Sequence, residues 1–225
     1  NLDIKNKTFI EFGVENYEES NTRFLLENNN WKGLIIDSSA KNTNFIKSQE
    51  YYWKRNLKVS NNFIDRENIN NIFLENDFSG EIGLLSIDID GNDYWVWEAI
   101  NIVKPEILII EYNARFGKDL SVSIPYNKDF VRSNIYPEKV IYGASIKALN
   151  KLSLKKGYEL VYINSNGNNA FFVNRSKLNE NIKRVDISNI FNKNSFSENV
   201  RENKILPETP LELNQLIQQK KIITI

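Results

Sequence analysis

Five apolar runs of strand length, separated by segments of helical period, constrain this chain more than any other feature. The runs are TFIEFGV (8–14), KGLIIDSS (32–39), LKVSNNFI (57–64), IGLLSIDI (82–89) and EILIIEYN (106–113). Between them lie NTRFLLENN (21–29), NTNFIKSQEYYW (42–53), RENINNIFLEN (66–76) and NDYWVWEAIN (92–101), the last with Asn92 placed to cap a helix. Short strands alternating with helices predict an α/β fold with a mostly parallel sheet covered on both faces.

Residues 114–144 break that rhythm. They carry two prolines and several aromatics without a period, and they exceed an ordinary connection, so a functional loop or lid is expected there. IKALNKLSLKKG (146–157) resumes as a helix stopped by Gly157. YELVYIN and NAFFVNR, joined by the turn-rich SNGN, predict a hairpin and hence an antiparallel strand at the end of the sheet. From 179 the chain turns polar and Asn-rich, with a helical pattern in TPLELNQLIQQKK. Residues 1–178 are therefore read as one domain and 179–225 as a C-terminal extension making an oligomer or substrate contact.

The 225 residues, 41% of them hydrophobic, suffice for one substantial core. Basic and acidic residues balance at 29 each without a basic block, which argues against nucleic acid as a partner. No run nears the roughly 20 apolar residues of a membrane span, and residues 1–20 lack the apolar core of a signal peptide, so a cytoplasmic protein is expected. With no Met, the natural start is expected upstream of Asn1. The lack of Cys excludes disulfides, thiolate metal sites and thiol nucleophiles. The lack of His removes the commonest general base, leaving carboxylates, Tyr, Lys, Asn or a metal held by oxygens.

The acids fall at strand ends: Glu11, Asp37, Asp88 with Asp90, and Glu111. In an open parallel sheet these ends share one rim, where ligands bind. A single Asp after a strand is commonly a cap or a turn former, and the helix dipole accounts for Asp93, which also stands where an acceptor would approach. Convergent carboxylates need a cation or ligand to offset their repulsion. Three chemistries could use DIDGND (88–93). It resembles the DxDGT start of haloacid-dehalogenase-type phosphatases, although it lies on the fourth strand and has Asn92 in the Thr position. It resembles a calcium loop, although its Gly falls fourth and its twelfth residue is Ala99. The third use is the acceptor edge of a methyltransferase. EFGVENYEESNTRFLL lacks both GxGxxG and the P-loop, so a ligand without phosphates is expected, and Asp37 is placed to accept ribose hydroxyls. A nucleoside without pyrophosphate points to S-adenosylmethionine.

The ordered set FIEFGVENYEESNTRFLLENNNWKGLIIDSS, LLSIDIDGNDYWVWEAI, IIEYNARFG, PYN and YGAS, followed by KGYELVYINSNGNNAFFV, resembles bacterial S-adenosylmethionine-dependent methyltransferases. They are related to the FkbM-type enzymes and associated with surface-polysaccharide gene clusters. The resemblance runs from 8 to 178. It implies the Rossmann-like class I methyltransferase fold, with a seven-stranded sheet and an antiparallel last strand. It also implies that Glu11, Phe12 and Gly13 line the cofactor, that Ser20, Asn21 and Thr22 hold its methionine end, and that Asp37 with Ser38 holds the ribose. Phe63 and Ile64 would flank the adenine, with Asp88 alongside. Many class I enzymes have a second glycine where this chain has Glu15 to Tyr17.

Methyl transfer needs in-line positioning and an acceptor whose proton is removed or already absent. For a sugar hydroxyl, Asp88 or Asp90 with Glu111 would act as base, or would hold an Mg2+-like ion. For a phosphate or phosphoramidate oxygen no base is needed, and Arg115, Lys118 or Arg132 would bind the anion. Tyr94, Tyr112, Asn113, Tyr126 and Tyr142 are the expected lining of the acceptor pocket, whereas Trp95 and Trp97 are expected to pack in the core. The reading is thus an O-methyltransferase of capsule or other surface-glycan biosynthesis acting on a small-molecule or glycan-precursor acceptor, as a homo-oligomer. The alternative is a non-catalytic binding or scaffold subunit on the same fold.

Overall fold

Consecutive residues of each central strand divide between two apolar clusters, as a sheet buried on both faces requires. Ile10, Phe12, Leu34, Ile36, Leu85, Ile87, Leu108 and Ile110 enter one cluster. Phe9, Ile35, Leu84 and Ile109 enter the other. Burying each such side chain contributes about 1.5–3 kcal/mol. These facts come from a computed structural model that describes residues 2–132, 140–191 and 210–225; part of the loop after the fifth strand (133–139) and most of the Asn-rich stretch (192–209) lie outside the described residues.

The strands are β1 (Thr8–Phe12), β2 (Lys32–Asp37), β3 (Leu57–Asn61), β4 (Gly80–Ile87), β5 (Val103–Glu111), β6 (Val122–Ser123), β7 (Tyr158–Ile163), β8 (Asn169–Asn174) and β9 (Ile223–Thr224). All but β6 and β9 form one seven-stranded sheet in the order β3-β2-β1-β4-β5-β8-β7. Pairing is parallel from β3 through β5, and β8 runs antiparallel to both its neighbours. The helices are α1 (Arg23–Asn29), α2 (Ala40–Ser48), α3 (Glu50–Lys54), α4 (Ile69–Glu75), α5 (Asp93–Ala99), α6 (Ile146–Lys155), α7 (Ile187–Ile190) and α8 (Pro210–Gln218). Helices α1, α2 and α3 supply Leu26, Ile46 and Tyr51 to one face. Helices α4, α5 and α6 supply Ile72, Phe73, Val96, Trp97, Leu149 and Leu152 to the other.

The elements read from the sequence are present, with local differences. The single helix expected over 42–53 is two, because Gln49 is extended (φ −80°, ψ 151°). Asn92 occupies the cap position of α5, but its side chain makes no capping bond and donates to Asn127 O at 2.7 Å instead. Strand β5 begins at Val103, so Pro105 lies within it. That is tolerated because β8 pairs with β5 only from Ile107 onward, and the missing N–H has no ladder to break on that side. The insertion after β5 contains β6, which pairs with β9 from the C-terminal end of the chain. Nothing in the periodicity of either segment announces that pairing.

Chain order reverses between β1 and β4. The strands after β1 are laid down outward to β3, and the chain then returns to place β4 on β1's other side. A crevice therefore opens beyond the carboxyl ends of β1 and β4. The chain turns tightly there: a Cβ on Gly13 (φ 77°) would lie 1.4 Å from Asp88 O, so only glycine fits.

Candidate functional site

A cleft of about 250 Å³ occupies the reversal point. Its walls are Gly13 and Glu15 after β1, Asp37 to Ser39 with Asn42 after β2, Asn62 to Ile64 after β3, and Asp88 to Asp90 with Asn92 after β4. Phe130 from the insertion completes it. Its ring lies against Gly91, where a Cβ would come within 2.3 Å of it.

Asp37 is buried at the end of β2. Its Oδ1 accepts the Ser39 N–H (2.8 Å) and Asn42 Nδ2 (3.2 Å), and its Oδ2 accepts the Glu15 N–H (2.9 Å). A carboxylate offers about four acceptor positions, so one on Oδ2 has no partner among the described residues. Ser38, Phe63 and Ile64 line the same cleft, with Phe63 half exposed at 46%. Glu11 is engaged differently. Its carboxylate accepts Ser20 Oγ (2.7 Å), the Asn21 N–H (2.8 Å) and Thr22 Oγ1 (2.5 Å), which ties the loop before α1 to β1. Asn21 also donates to Ser86 Oγ at 3.0 Å. Glu11, Ser20, Asn21 and Thr22 thus form one hydrogen-bonded unit that is not part of the cleft lining, and Phe12 is a core residue.

Asp88, Asp90 and Glu111 do converge: one carboxylate oxygen from each lies within 4.8 Å of the others. Glu111 is buried, Asp88 half-buried and Asp90 exposed. Burial first, and then the neighbouring Asp93 and Asp90 charges, push the Asp88 carboxyl well above the usual range. Burial and the Asp88 charge do the same to Glu111, whose Oε2 has no hydrogen-bond partner among the described residues. Among the described residues, the cation facing the cluster is Arg132. It pairs with Asp90 at 2.5 Å, and its guanidinium lies 3.8 Å from the centre of the Tyr142 ring. Burial, and next the Glu111 charge, raise the Tyr142 hydroxyl. Three hard oxygen donors of this kind suit a divalent ion such as Mg2+.

The other residues expected at the acceptor side are placed elsewhere. Asp93 is fully buried, with its oxygens taken by the Ile89 and Gly91 N–H groups at 2.9 Å each, so it shapes the 88–92 turn. Tyr112 is a core residue whose ring lies 6.4 Å from that of Phe191. Asn113 donates to Val140 O (2.8 Å) and Tyr142 O (3.1 Å) and accepts the Arg115 N–H, pinning the two ends of the insertion together. Arg115 sits half-buried on the short 3-10 turn Ala114–Phe116. Tyr126 donates to the Glu67 carboxylate, with Arg66 stacked 3.9 Å from its ring centre. Of this group, Tyr142 reaches the acid cluster beside Arg132, and Asp93 acts on it by its charge from within the turn. Trp97 packs edge-on to Tyr158, and Trp95 donates to Ile124 O at 2.9 Å.

The sequence reading missed Glu15, Ser39, Asn42, Asn62, Asn92 and Phe130 as lining residues. Ser39 carried a signal, as a Ser that caps α2 through the Asn42 N–H (3.3 Å). Phe130 carried none, because it reaches the cleft across nearly forty residues of chain.

No family model matches the sequence, and no curated protein matches it significantly. Among solved structures, the chain is similar to "StiE O-MT residues 942-1257", with 16% identity and a TM-score of 0.39 over 69% of this chain and 46% of that one. It is similar to the N-terminal domain of EvdMO1 with SAH bound, at 10% and 0.43 over 74% and 72%. A third is an S-adenosylmethionine-dependent methyltransferase from Clostridium acetobutylicum ATCC 824, at 12% and 0.44 over 74% and 83%. The chain spans about half the length of the StiE structure. The strand order β3-β2-β1-β4-β5-β8-β7, with β8 antiparallel, is that of the Rossmann-like class I methyltransferase fold.

Proposed function

We propose that the chain is an S-adenosylmethionine-dependent O-methyltransferase, with a sugar hydroxyl or a phosphate- or phosphoramidate-type oxygen of a surface-glycan precursor as acceptor. The observation that carries this reading is the adjacency of two unlike halves in one crevice. One half suits a nucleoside, with Asp37 for ribose hydroxyls and Phe63 and Ile64 for a base, and it lacks a glycine loop for phosphates. The other half is the carboxylate cluster at the ends of β4 and β5. The likeness of the sequence to the FkbM-related enzymes supports the glycan context, and a cytoplasmic site follows if the acceptor is a soluble precursor.

The cofactor supplies a methyl group activated by a sulfonium. Everything else falls to the chain. Gly13 lets the ligand approach the backbone closely, and the open position on Asp37 orients the ribose. Asp88, at the cleft, takes the proton of a hydroxyl acceptor, while buried Glu111 beside it holds the pair's charge in check. Arg132 and Tyr142 form the wall facing the cluster. Asp88, Asp90 and Glu111 are also the residues that would hold Mg2+, whose chemistry there is to lower the hydroxyl's pKa.

Calorimetric titration with S-adenosylmethionine tests the reading. Micromolar binding is expected, weakened at least tenfold in Asp37→Ala, with runs in Mg2+ and in EDTA separating a metal contribution. If the intact protein does not bind under any of these conditions, the methyltransferase reading fails and the scaffold reading takes its place.

A further inference from the structure

The cleft is short of positive charge. Glu15, Asp37, Asp88 and Asp90 line it, and no Lys or Arg stands among its described lining residues. Glu111, with an oxygen within 4.8 Å of those of Asp88 and Asp90, adds a fifth carboxylate. Arg132 faces this cluster, but it is engaged by its pair with Asp90 and by its stacking on Tyr142. Lys41 lines a separate hollow of about 240 Å³ that shares Glu15 and Asn42 with the cleft. Carboxylates gathered in this way repel one another unless a positive group lies between them.

The cleft is also short of donors. Two amides of its lining turn their nitrogens to the protein: Asn42 Nδ2 donates to Asp37 Oδ1 (3.2 Å) and Asn92 Nδ2 to Asn127 O (2.7 Å). A carboxylate and a carbonyl only accept, so these partners fix the orientation of both amides. Asn92 is 3% exposed, and its Oδ1 is left buried without a hydrogen-bond partner among the described residues. Glu111, 7% exposed, leaves its Oε2 in the same condition. A buried acceptor costs stability until something donates to it. An amide and a carboxylate, on different elements, thus both call for a donor on the β4–β5 side of the site.

A protonated amine answers both shortages, since it carries a positive charge and three N–H donors. Three oxygens within 4.8 Å of one another can each lie about 2.8 Å from a common nitrogen, the length of a charge-assisted hydrogen bond. A phosphate-type oxygen brings more negative charge to the same carboxylates. We propose that the methyl acceptor is an amino alcohol, in a glycan precursor an amino sugar, whose ammonium is anchored by Asp88, Asp90 and Glu111 beside the hydroxyl that is methylated. The proposal rests on the methyltransferase reading and narrows it, because phosphate and phosphoramidate oxygens are then excluded as acceptors.

The test is calorimetric titration of the protein saturated with S-adenosylhomocysteine, in EDTA. The probes are glucosamine, at a pH where its amine is protonated, glucose, which has a hydroxyl in that place, and phosphoramidate. Glucosamine should bind at least tenfold more tightly than glucose, as a charge-assisted hydrogen bond predicts, and phosphoramidate should not bind. Added Mg2+ should weaken glucosamine, because both need the same oxygens. Asp90→Asn should reduce the preference for glucosamine several-fold. Asparagine accepts the left-handed backbone at that position (φ 55°), so the variant should fold, and Glu111→Gln, of equal size, repeats the test at a second corner of the cluster. Glucose and glucosamine behaving alike in the parent, whether both bind or neither does, refutes the amino alcohol, as does phosphoramidate binding as tightly as glucosamine. An undiminished preference in both variants refutes its anchoring on the cluster. A parent that does not bind S-adenosylhomocysteine overturns the methyltransferase reading and the amino alcohol with it.

Discussion

Asp93 shows how one carboxylate among several acquires a separate role. Its burial is complete and both oxygens accept backbone N–H groups, yet burial still outweighs those bonds and pushes its carboxyl from 3.8 up to about 6. A carboxyl raised on folding stabilises the folded state below the unfolded value, and that contribution is lost as pH rises through the folded value. Stability should therefore fall between about pH 4 and pH 6. A shift of about two units corresponds to roughly 3 kcal/mol. Denaturant unfolding at intervals from pH 4 to 7 should show this fall in the parent and a correspondingly flatter curve in Asp93→Asn. Parallel curves would mean that Asp93 ionises normally. In DIDGND the three aspartates look alike as residues. What separates Asp88 at the cleft, Asp90 paired with Arg132 and Asp93 inside the turn is burial, which depends on elements far away in sequence.

At the scale of elements, strands and helices were legible because their periods are local, while the insertion after β5 was legible only as an interruption. Its order comes from contacts with remote segments. Tyr126 bonds to Glu67, Lys128 lies 3.5 Å from Asp65, Asn127 O accepts from Asn92, and Ile124 O accepts from Trp95. These contacts strap the insertion to the segments that follow β3 and β4. Tyr126→Phe removes an exposed contact, so global stability should change by less than about 1 kcal/mol. Backbone amides over 124–130 should nevertheless exchange several-fold faster, because local opening is governed by local contacts. Unchanged exchange across that segment would show that the strap does not depend on Tyr126.

Taken whole, the molecule closes on itself through its C-terminal end. Ile222 is fully buried among Phe116, Val122, Ile124, Phe130, Ile141 and Tyr142, with Leu213, Leu216 and Ile217 of α8 packed alongside. Phe130 lines the cleft and Tyr142 backs Arg132, so the end of the chain supports two residues of the site wall. Ile222→Ala should cost about 2–4 kcal/mol and hasten tryptic cleavage at Lys128 and Arg132. Parent-like stability and cleavage would show that the C-terminal end is dispensable to the wall.

The sequence by itself determined the alternation of strands and helices, the antiparallel hairpin and the placement of acids at strand ends, because hydrophobic period and turn chemistry act over a few residues. It also determined that neither His nor Cys takes part. The tertiary structure alone decided which acids meet, that Glu11 faces its own loop, that the Glu15 N–H bonds to Asp37, and that β9 returns to β6. Each of these depends on where distant segments come together, and neither period nor composition encodes that.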